Sequence, residues 1–135
     1  MRLSPLASTI GKVVLTLVLI VPLLGVLGIF PPPTPDLYST PQAFQFIDLL
    51  MKSHYIPLID SIVFLLAIVW LWTKRTALAA LLLLPITINI VGFHAFLDGG
   101  LLKPGAIMGN VLFLLNLTFL WQQRGQYRSL FQKQS

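Results

Sequence analysis

The sequence has no cysteine and no glutamate, and it has few charged residues of any kind. Without a thiol, the chain itself cannot exchange disulfides, ligate an iron–sulfur cluster or present a thiolate nucleophile. Only 10% of the residues are charged, whereas a soluble domain has about 25%. The net charge of +5 comes from basic residues dispersed at the ends of apolar runs, so it does not predict a nucleic-acid surface.

Apolar residues are what the sequence has in abundance. Hydrophobic residues make up 56% of the 135 positions, and the mean hydropathy is +0.87. A soluble chain of this length cannot bury so much apolar surface, and about 20 apolar residues are enough to cross a bilayer as a helix. The sequence therefore predicts an all-α, integral membrane four-helix transmembrane bundle forming one domain over 1–135. The predicted spans are 13–30, 55–72, 77–96 and 104–121.

The first apolar run follows the basic residues Arg2 and Lys12 and so has the general form of a secretory signal. It is long for a signal peptide, and it is followed by three prolines at 31–33 instead of a small-residue cleavage site. We interpret it as a membrane anchor.

The distribution of basic residues predicts the orientation. With four spans, both termini lie on the same side as the loop between spans two and three. That side would carry seven basic residues and the opposite side two, Lys52 and Lys103. By the positive-inside rule we expect both termini on the cytoplasmic side of the inner membrane. The seven are Arg2, Lys12, Lys74, Arg75, Arg124, Arg128 and Lys133.

The connection between spans one and two has two parts. Residues 31–41 contain five prolines and are expected to be extended. Residues 42–53 place Phe44, Ile47 and Leu50 at helical spacing, which predicts a short amphipathic helix on the outer interface. In the loop before span four, Pro104 suits the first turn of a helix.

Small residues and prolines inside the spans favour particular packing. Pro22 and Pro85 each remove a backbone hydrogen bond, and packing geometry is a sufficient explanation for both. Gly105 and Gly109 form a G-x-x-x-G pattern on span four, which permits close helix approach. That approach can serve packing within the bundle or contact with another subunit in a homo-oligomer.

Ionisable residues within a membrane are costly and call for a partner or a role. By their depth in the predicted spans, several polar residues fall near the outer face and could share one pocket. A histidine–carboxylate pair made by Asp60 and His94 could move a proton near neutral pH, and the competing interpretation is hydrogen bonding between helices. The candidate pocket residues are Asp60, His94, Asn89, Asp98, Asn110 and His54.

Other polar residues favour structural roles. We interpret Asn110 and Asn116 in span four chiefly as interhelical hydrogen-bonding residues. His94 and Asp98 could contribute to a metal site, but so few ligands do not define one. We therefore predict no metal site.

The segment from Pro85 through Asn89, Phe93 and His94 to Asp98, followed by Asn116 and an aromatic and basic tail at 121–131, resembles the DoxX-like family of small four-helix membrane proteins. Asn89, His94 and Asp98 match its pattern. The family commonly has a glutamate followed by a glycine early in span two, whereas this chain has Asp60 without the glycine. The family takes its name from a subunit of an archaeal thiosulfate:quinone oxidoreductase, so the resemblance implies a redox-linked membrane subunit.

The leading functional hypothesis is therefore a membrane subunit of a redox complex that binds quinone or another small molecule near the outer face. In it, His94 hydrogen-bonds a carbonyl oxygen, and Asp60 orients it or takes protons. The alternatives are a non-catalytic assembly or scaffold subunit and, with less support, a small transporter or lipid-binding protein. We expect membrane lipid and an oxidoreductase or other complex subunits as partners, and no catalysis by this chain alone.

Overall fold

The computed structural model describes residues 3–132, and this part of the chain is helical with no strand, as predicted. Two 3₁₀ turns, Pro35–Leu37 and Arg128–Phe131, accompany the α-helices. Three of the helices are long and apolar enough to cross a membrane, namely α1 (Pro5–Val26), α3 (Tyr55–Trp72) and α4 (Thr76–Phe96), and α5 (Ala106–Gln122) is a shorter apolar helix of 17 residues. The helices are α1 Pro5–Val26, α2 Pro41–Lys52, α3 Tyr55–Trp72, α4 Thr76–Phe96, α5 Ala106–Gln122 and α6 Arg124–Tyr127.

The first apolar helix begins and ends earlier than the predicted span of 13–30. The hydroxyl of Ser4 accepts a hydrogen bond from the amide of Ala7 at 3.2 Å, and Pro5 occupies the first turn. These are strong helix-start signals, and they begin α1 well before the apolar run. At the other end, Gly28 has φ of +73°, which ends the helix before the prolines. Capping residues, rather than hydropathy, determine both ends.

The next three predicted helices are confirmed. α3 covers the predicted 55–72, and α4 adds Thr76 to the predicted 77–96. α2 follows the prediction of 42–53 within one residue at each end, because the hydroxyl of Thr40 caps the amide of Ala43 and Pro41 occupies the first turn. Pro22 and Pro85 lie inside α1 and α4.

The fourth apolar helix starts later than predicted. Pro104 lies in a turn rather than in the first turn of the helix, and the amide of Ala106 bonds to the carbonyl of Lys103 at 2.9 Å. The helix therefore begins at Ala106 instead of residue 104 and ends at Gln122 instead of 121. Its 17 residues rise about 26 Å.

The four apolar helices pack in a closed order, in which α1 contacts α3 and α5, and α4 contacts α3 and α5. Leu15, Leu19 and Phe119 are fully or almost fully buried between them. Large apolar side chains also point away from this core: Leu17 is 60% exposed and Leu114 is 61% exposed. Outward-facing apolar surface on long apolar helices indicates a membrane location.

Glycines allow two of these helix pairs to approach closely. A Cβ at Gly109 would lie only 2.7 Å from Cγ2 of Ile90 on α4, and one at Gly11 would lie 3.1 Å from the ring of Phe119 on α5. A side chain at Gly109 would overlap Cγ2 of Ile90, so the two helices pack this closely because residue 109 has none. Gly109 of the predicted G-x-x-x-G pattern therefore serves packing within the chain.

Candidate functional site

A cavity of about 430 Å³ opens between the C-terminal half of α1 and the N-terminal half of α3. α4 and α5 complete its walls, and α2 lies across it through Leu50 and Met51. Most of the lining is apolar, and the polar side chains in it are Asp60, Ser61 and His94. Other lining residues are Leu19, Pro22, Gly25, Phe64, Ile90, Gly109 and Leu112.

α3 contributes an acidic side chain, Asp60, to the wall of the cavity. Asp60 is partly buried, and within residues 3–132 its carboxylate has no hydrogen-bond partner. The neighbouring hydroxyl of Ser61 donates to the carbonyl of Pro57 at 2.7 Å, which satisfies that hydroxyl locally. Asp60 is therefore left as the polar group of α3 that is free to bind a molecule in the cavity.

The imidazole of His94 is oriented by a buried carboxylate. Nδ1 of His94 lies 2.9 Å from Oδ2 of Asp98, one turn further along the chain. The other oxygen of Asp98 accepts the backbone N–H of Ser39 at 2.7 Å. Asp98 is only 2% exposed, so its carboxylate is shielded from water, and the hydrogen bonds from these two donors replace the lost hydration.

This arrangement fixes which nitrogen of His94 is available to a ligand. An ionised Asp98 is an acceptor only, so Nδ1 carries a proton and donates it. In the neutral imidazole, Nε2 then has a free lone pair. A Cβ at Gly109 would lie 3.8 Å from Nε2, so the missing side chain leaves open the space beside this nitrogen.

The same carboxylate holds the proline-rich connection against the end of α4. The hydroxyl of Thr40 donates to the carbonyl of Leu97, next to the bond between Ser39 and Asp98. The ring of Tyr38 packs edge-on against that of Phe93, with centroids 6.3 Å apart. Burial, and after it the negative charge of Asp98, raises the pKa of the Tyr38 phenol.

The other predicted pocket residues lie outside the cavity. Asn89 is exposed on a different face of α4 from His94. Asn110 donates to the carbonyl of Leu101 at 2.8 Å and so closes the turn before α5. His54 is exposed at the start of α3, with φ of +59°. Asn89 and His94 are five residues apart on α4, which turns their side chains about 140° away from each other.

Asn116 has the structural placement that interhelical bonding requires. It is completely buried, and its Nδ2 lies 3.4 Å from the hydroxyl of Thr87 on α4. The hydroxyl of Thr87 in turn donates to the carbonyl of Leu84 at 3.0 Å. Oδ1 of Asn116 has no partner within residues 3–132.

No family model, curated protein or solved structure matched this chain. The site must therefore be interpreted from its own chemistry. Within residues 3–132, no group of three or more histidine, cysteine or acidic side chains is placed to hold a metal ion. The arrangement can bind an apolar molecule that carries one or two polar oxygens, and it can exchange a proton with such a molecule at Nε2 of His94 or at the carboxylate of Asp60.

Ser39 and Tyr38 belong to this site but were not among the predicted residues. Their contribution comes from the way residues 34–40 fold back onto the end of α4. The one sequence signal was the Thr40–Pro41 pair, which marks the start of a helix. That signal fixes the beginning of α2 but not the surface against which the preceding residues pack.

Proposed function

We propose that the chain is a four-span inner-membrane protein of the DoxX-like type with both termini cytoplasmic. Supporting this, Lys74, Arg75 and Arg124 lie at one end of the helices, whereas Lys52 and Lys103 lie at the other. Arg2 and Lys133, which also entered the orientation argument, lie outside the described residues. α5 serves as the fourth span, since a helix of about 26 Å needs only slight local thinning of a 30 Å core. α2 then lies on the outer interface.

The function that the site supports best is binding of a quinone-type molecule within a redox-linked membrane complex. The observation that carries the proposal is the apolar cavity of about 430 Å³ that presents His94 and Asp60 as its ionisable groups. This volume lies in the range of small-molecule sites, which are mostly apolar with a few polar groups that fix orientation. A quinone has this same division between an apolar tail and two polar oxygens.

The tautomer of His94 favours a particular step. With Nδ1–H held by Asp98, the free Nε2 accepts a hydrogen bond from the hydroxyl of a hydroquinone and can take its proton. The second proton goes to the carboxylate of Asp60, and the two electrons go to the redox centre of a partner oxidoreductase. The hydroquinone is thereby oxidised to the quinone. In the reverse direction, a protonated His94 donates Nε2–H to the quinone carbonyl.

The scaffold alternative has less support from the structure than the sequence suggested. It depended on the small-residue face of span four and on the near absence of a soluble domain. Gly109 on that face is in contact with Ile90 of the same chain. A contact surface used inside the chain is not available to a second subunit.

The test is a titration of the purified full-length chain in lipid nanodiscs with a short-tailed benzoquinone, comparing wild type with His94→Ala. We expect saturable binding that His94→Ala weakens by about tenfold, the effect of one lost hydrogen bond to an oriented ring. Asn89→Ala is the control, because Asn89 is on the same helix but is exposed and outside the cavity. Absence of saturable binding by the wild type, or equal binding by the wild type and His94→Ala, would refute the proposal.

A second pair of variants blocks the cavity without touching a polar group. Gly25 lines the cavity, and a Cβ there would meet no atom within 4 Å. Gly92 on α4 also has open space beside it but does not line the cavity. Gly25→Leu should abolish quinone binding, whereas Gly92→Leu should leave it intact, and both helices should be preserved in circular dichroism.

A further inference from the structure

A second site can be inferred at the opposite end of the helices from the His94 cavity. A polar cavity of about 690 Å³ lies there between the beginning of α1 and the segment that follows α5. Ser8 lines it from α1, and Arg124 and Arg128 line it from the C-terminal segment. Three glutamine side chains complete the polar lining, at positions 122, 123 and 126.

This end of the molecule carries positive charge without acidic side chains to balance it. Three contacts show that the helix ends concerned lie together: Trp72 Nε1 donates to the hydroxyl of Thr16 at 3.1 Å, Gly11 packs on Phe119, and the hydroxyl of Tyr127 donates to the carbonyl of Ala77 at 2.8 Å. The basic residues described at this end are Lys12, Lys74, Arg75, Arg124 and Arg128. The four acidic residues of the chain, Asp36, Asp48, Asp60 and Asp98, all belong to the other end.

The two arginines in the cavity have donors to offer. Arg124 donates one Nη1–H to the carbonyl of Trp121 at 3.0 Å, and its guanidinium lies 4.7 Å from the centre of the Trp121 ring. These contacts hold the guanidinium in place and leave most of its five N–H groups free. Arg128 is exposed, and its side chain makes no hydrogen bond within residues 3–132. Guanidinium groups bind phosphate and carboxylate through charge-assisted and often bidentate hydrogen bonds.

An apolar groove of about 640 Å³ continues from the polar cavity along α5. Arg124 lines both spaces, so they meet at its side chain. Leu114, Leu117 and Trp121 line the groove, spaced three and four residues apart on one face of the helix. From Leu114 to Trp121 the groove follows the helix for about 10 Å, and all three side chains are exposed.

We propose that these two spaces together bind one anionic phospholipid. The phosphate lies between Arg124 and Arg128, and one acyl chain follows the groove past Leu117 into the bilayer. A free phosphate would satisfy the arginines but would leave the groove without a function, and a neutral lipid would fill the groove but would not balance the charge. Basic pockets beside transmembrane helices are a known way to hold acidic headgroups. The site is separate from the His94 cavity, so this proposal does not depend on quinone binding.

The test uses the full-length chain in a neutral detergent. Short-chain phosphatidylglycerol, phosphatidylcholine with the same acyl chains, and inorganic phosphate are titrated separately, and bound lipid is counted by native mass spectrometry. We expect one molecule of phosphatidylglycerol to bind saturably and at least about tenfold more tightly than phosphatidylcholine, which is the effect of charge-assisted bonds to two guanidinium groups. The double variant Arg124→Gln/Arg128→Gln should lose this preference.

The matched control is Lys74→Gln/Arg75→Gln, which removes the same charge at the same end but lies in neither lining. It should change the affinity for phosphatidylglycerol less than about threefold, as expected for screened charges at a distance. The single variant Arg128→Gln should fold normally because Arg128 is exposed, so it separates a loss of binding from a loss of folding. It should weaken phosphatidylglycerol binding several-fold. Equal losses in the two double variants, or inorganic phosphate binding as tightly as phosphatidylglycerol, would overturn the proposal.

Discussion

Replacing Asp98 gives the most direct test of how the site is built. Asp98→Ala removes the acceptor of two buried hydrogen bonds, one from the N–H of Ser39 and one from Nδ1 of His94. Asp98→Asn has nearly the same shape and keeps an oxygen for Ser39, but its amide nitrogen can only donate towards His94. The first variant therefore tests stability, and the second tests the tautomer of the imidazole.

The magnitudes follow from the charges and from burial. A hydrogen bond to a charged acceptor contributes about 1.5–3 kcal/mol, so Asp98→Ala should lower the free energy of unfolding by about 3–5 kcal/mol. Asp98→Asn keeps one neutral acceptor and should cost about 1–2 kcal/mol. Asp48 is the control, because its ion pair with Lys52 at 2.6 Å is solvent-exposed, and Asp48→Ala should cost less than about 1 kcal/mol.

Stability is measured by titrating the chain in mixed micelles with sodium dodecyl sulfate and following the helix signal by circular dichroism. The tautomer is read from ¹⁵N chemical shifts of the two histidines, with His54→Gln assigning the signals. In wild type, Nδ1 of His94 should carry the proton, and in Asp98→Asn the proton should move to Nε2. An Asp98→Ala variant as stable as Asp48→Ala, or an unchanged tautomer in Asp98→Asn, would refute the reasoning.

Three further predictions address other parts of the structure. Because burial raises the pKa of Tyr38 above its ordinary 10.0, the folded chain holds that proton more tightly than the unfolded chain, and stability should fall as pH rises above about 10. The difference in absorbance at 295 nm between wild type and Tyr38→Phe should show this late ionisation, and a midpoint at pH 10 or below would contradict the prediction. In the sodium dodecyl sulfate titration, Gly109→Ala should lower the free energy of unfolding by about 1–3 kcal/mol, since its Cβ would lie 2.7 Å from Ile90. Gly105→Ala, whose Cβ would have its nearest atom at 3.6 Å, should cost less than about 1 kcal/mol, and equal costs would be inconsistent with the packing described. Asn116→Leu should leave stability unchanged within about 1 kcal/mol or increase it, because it removes an unpartnered buried oxygen at similar volume, and a loss above about 2 kcal/mol in that titration would show that Asn116 is a stabilising interhelical contact.

The sequence predicted the long helices well where polar residues bound an apolar run on both sides. α3 matched its prediction because the apolar run is followed at once by Thr73, Lys74 and Arg75. α1 did not, because hydropathy marks where a chain prefers lipid, whereas the cap at Ser4 marks where backbone hydrogen bonding starts. A helix can therefore begin several residues before the apolar run that it contains.

The candidate site was predicted only in part, and the reason is geometric. Sequence position gives depth along a helix, so Asp60, Asn89 and His94 were all expected near one face of the membrane. Asp60 and His94 both line the cavity and Asn89 does not, because five residues along α4 turn the Asn89 side chain about 140° away from that of His94. Which of these two faces of α4 borders the cavity depends on how α3 and α4 rotate against each other. The hydrogen bond from Ser39 to Asp98 was not foreseeable either, since Ser39 is 59 residues away on a segment without regular structure.

The place of α5 in the closed order of helices has a consequence for biosynthesis. It leaves the ribosome after α1, α3 and α4 and is the shortest of these four apolar helices, with 17 residues, yet it contacts both α1 and α4. Until it is inserted, the surfaces around Gly11 and Ile90 lack the neighbours that they have in the finished protein. In the proposed four-span topology, retention of α5 in the bilayer therefore depends on contacts with helices made earlier. Substitutions on those faces should reduce the amount of protein that survives quality control, even where they leave the His94 cavity intact.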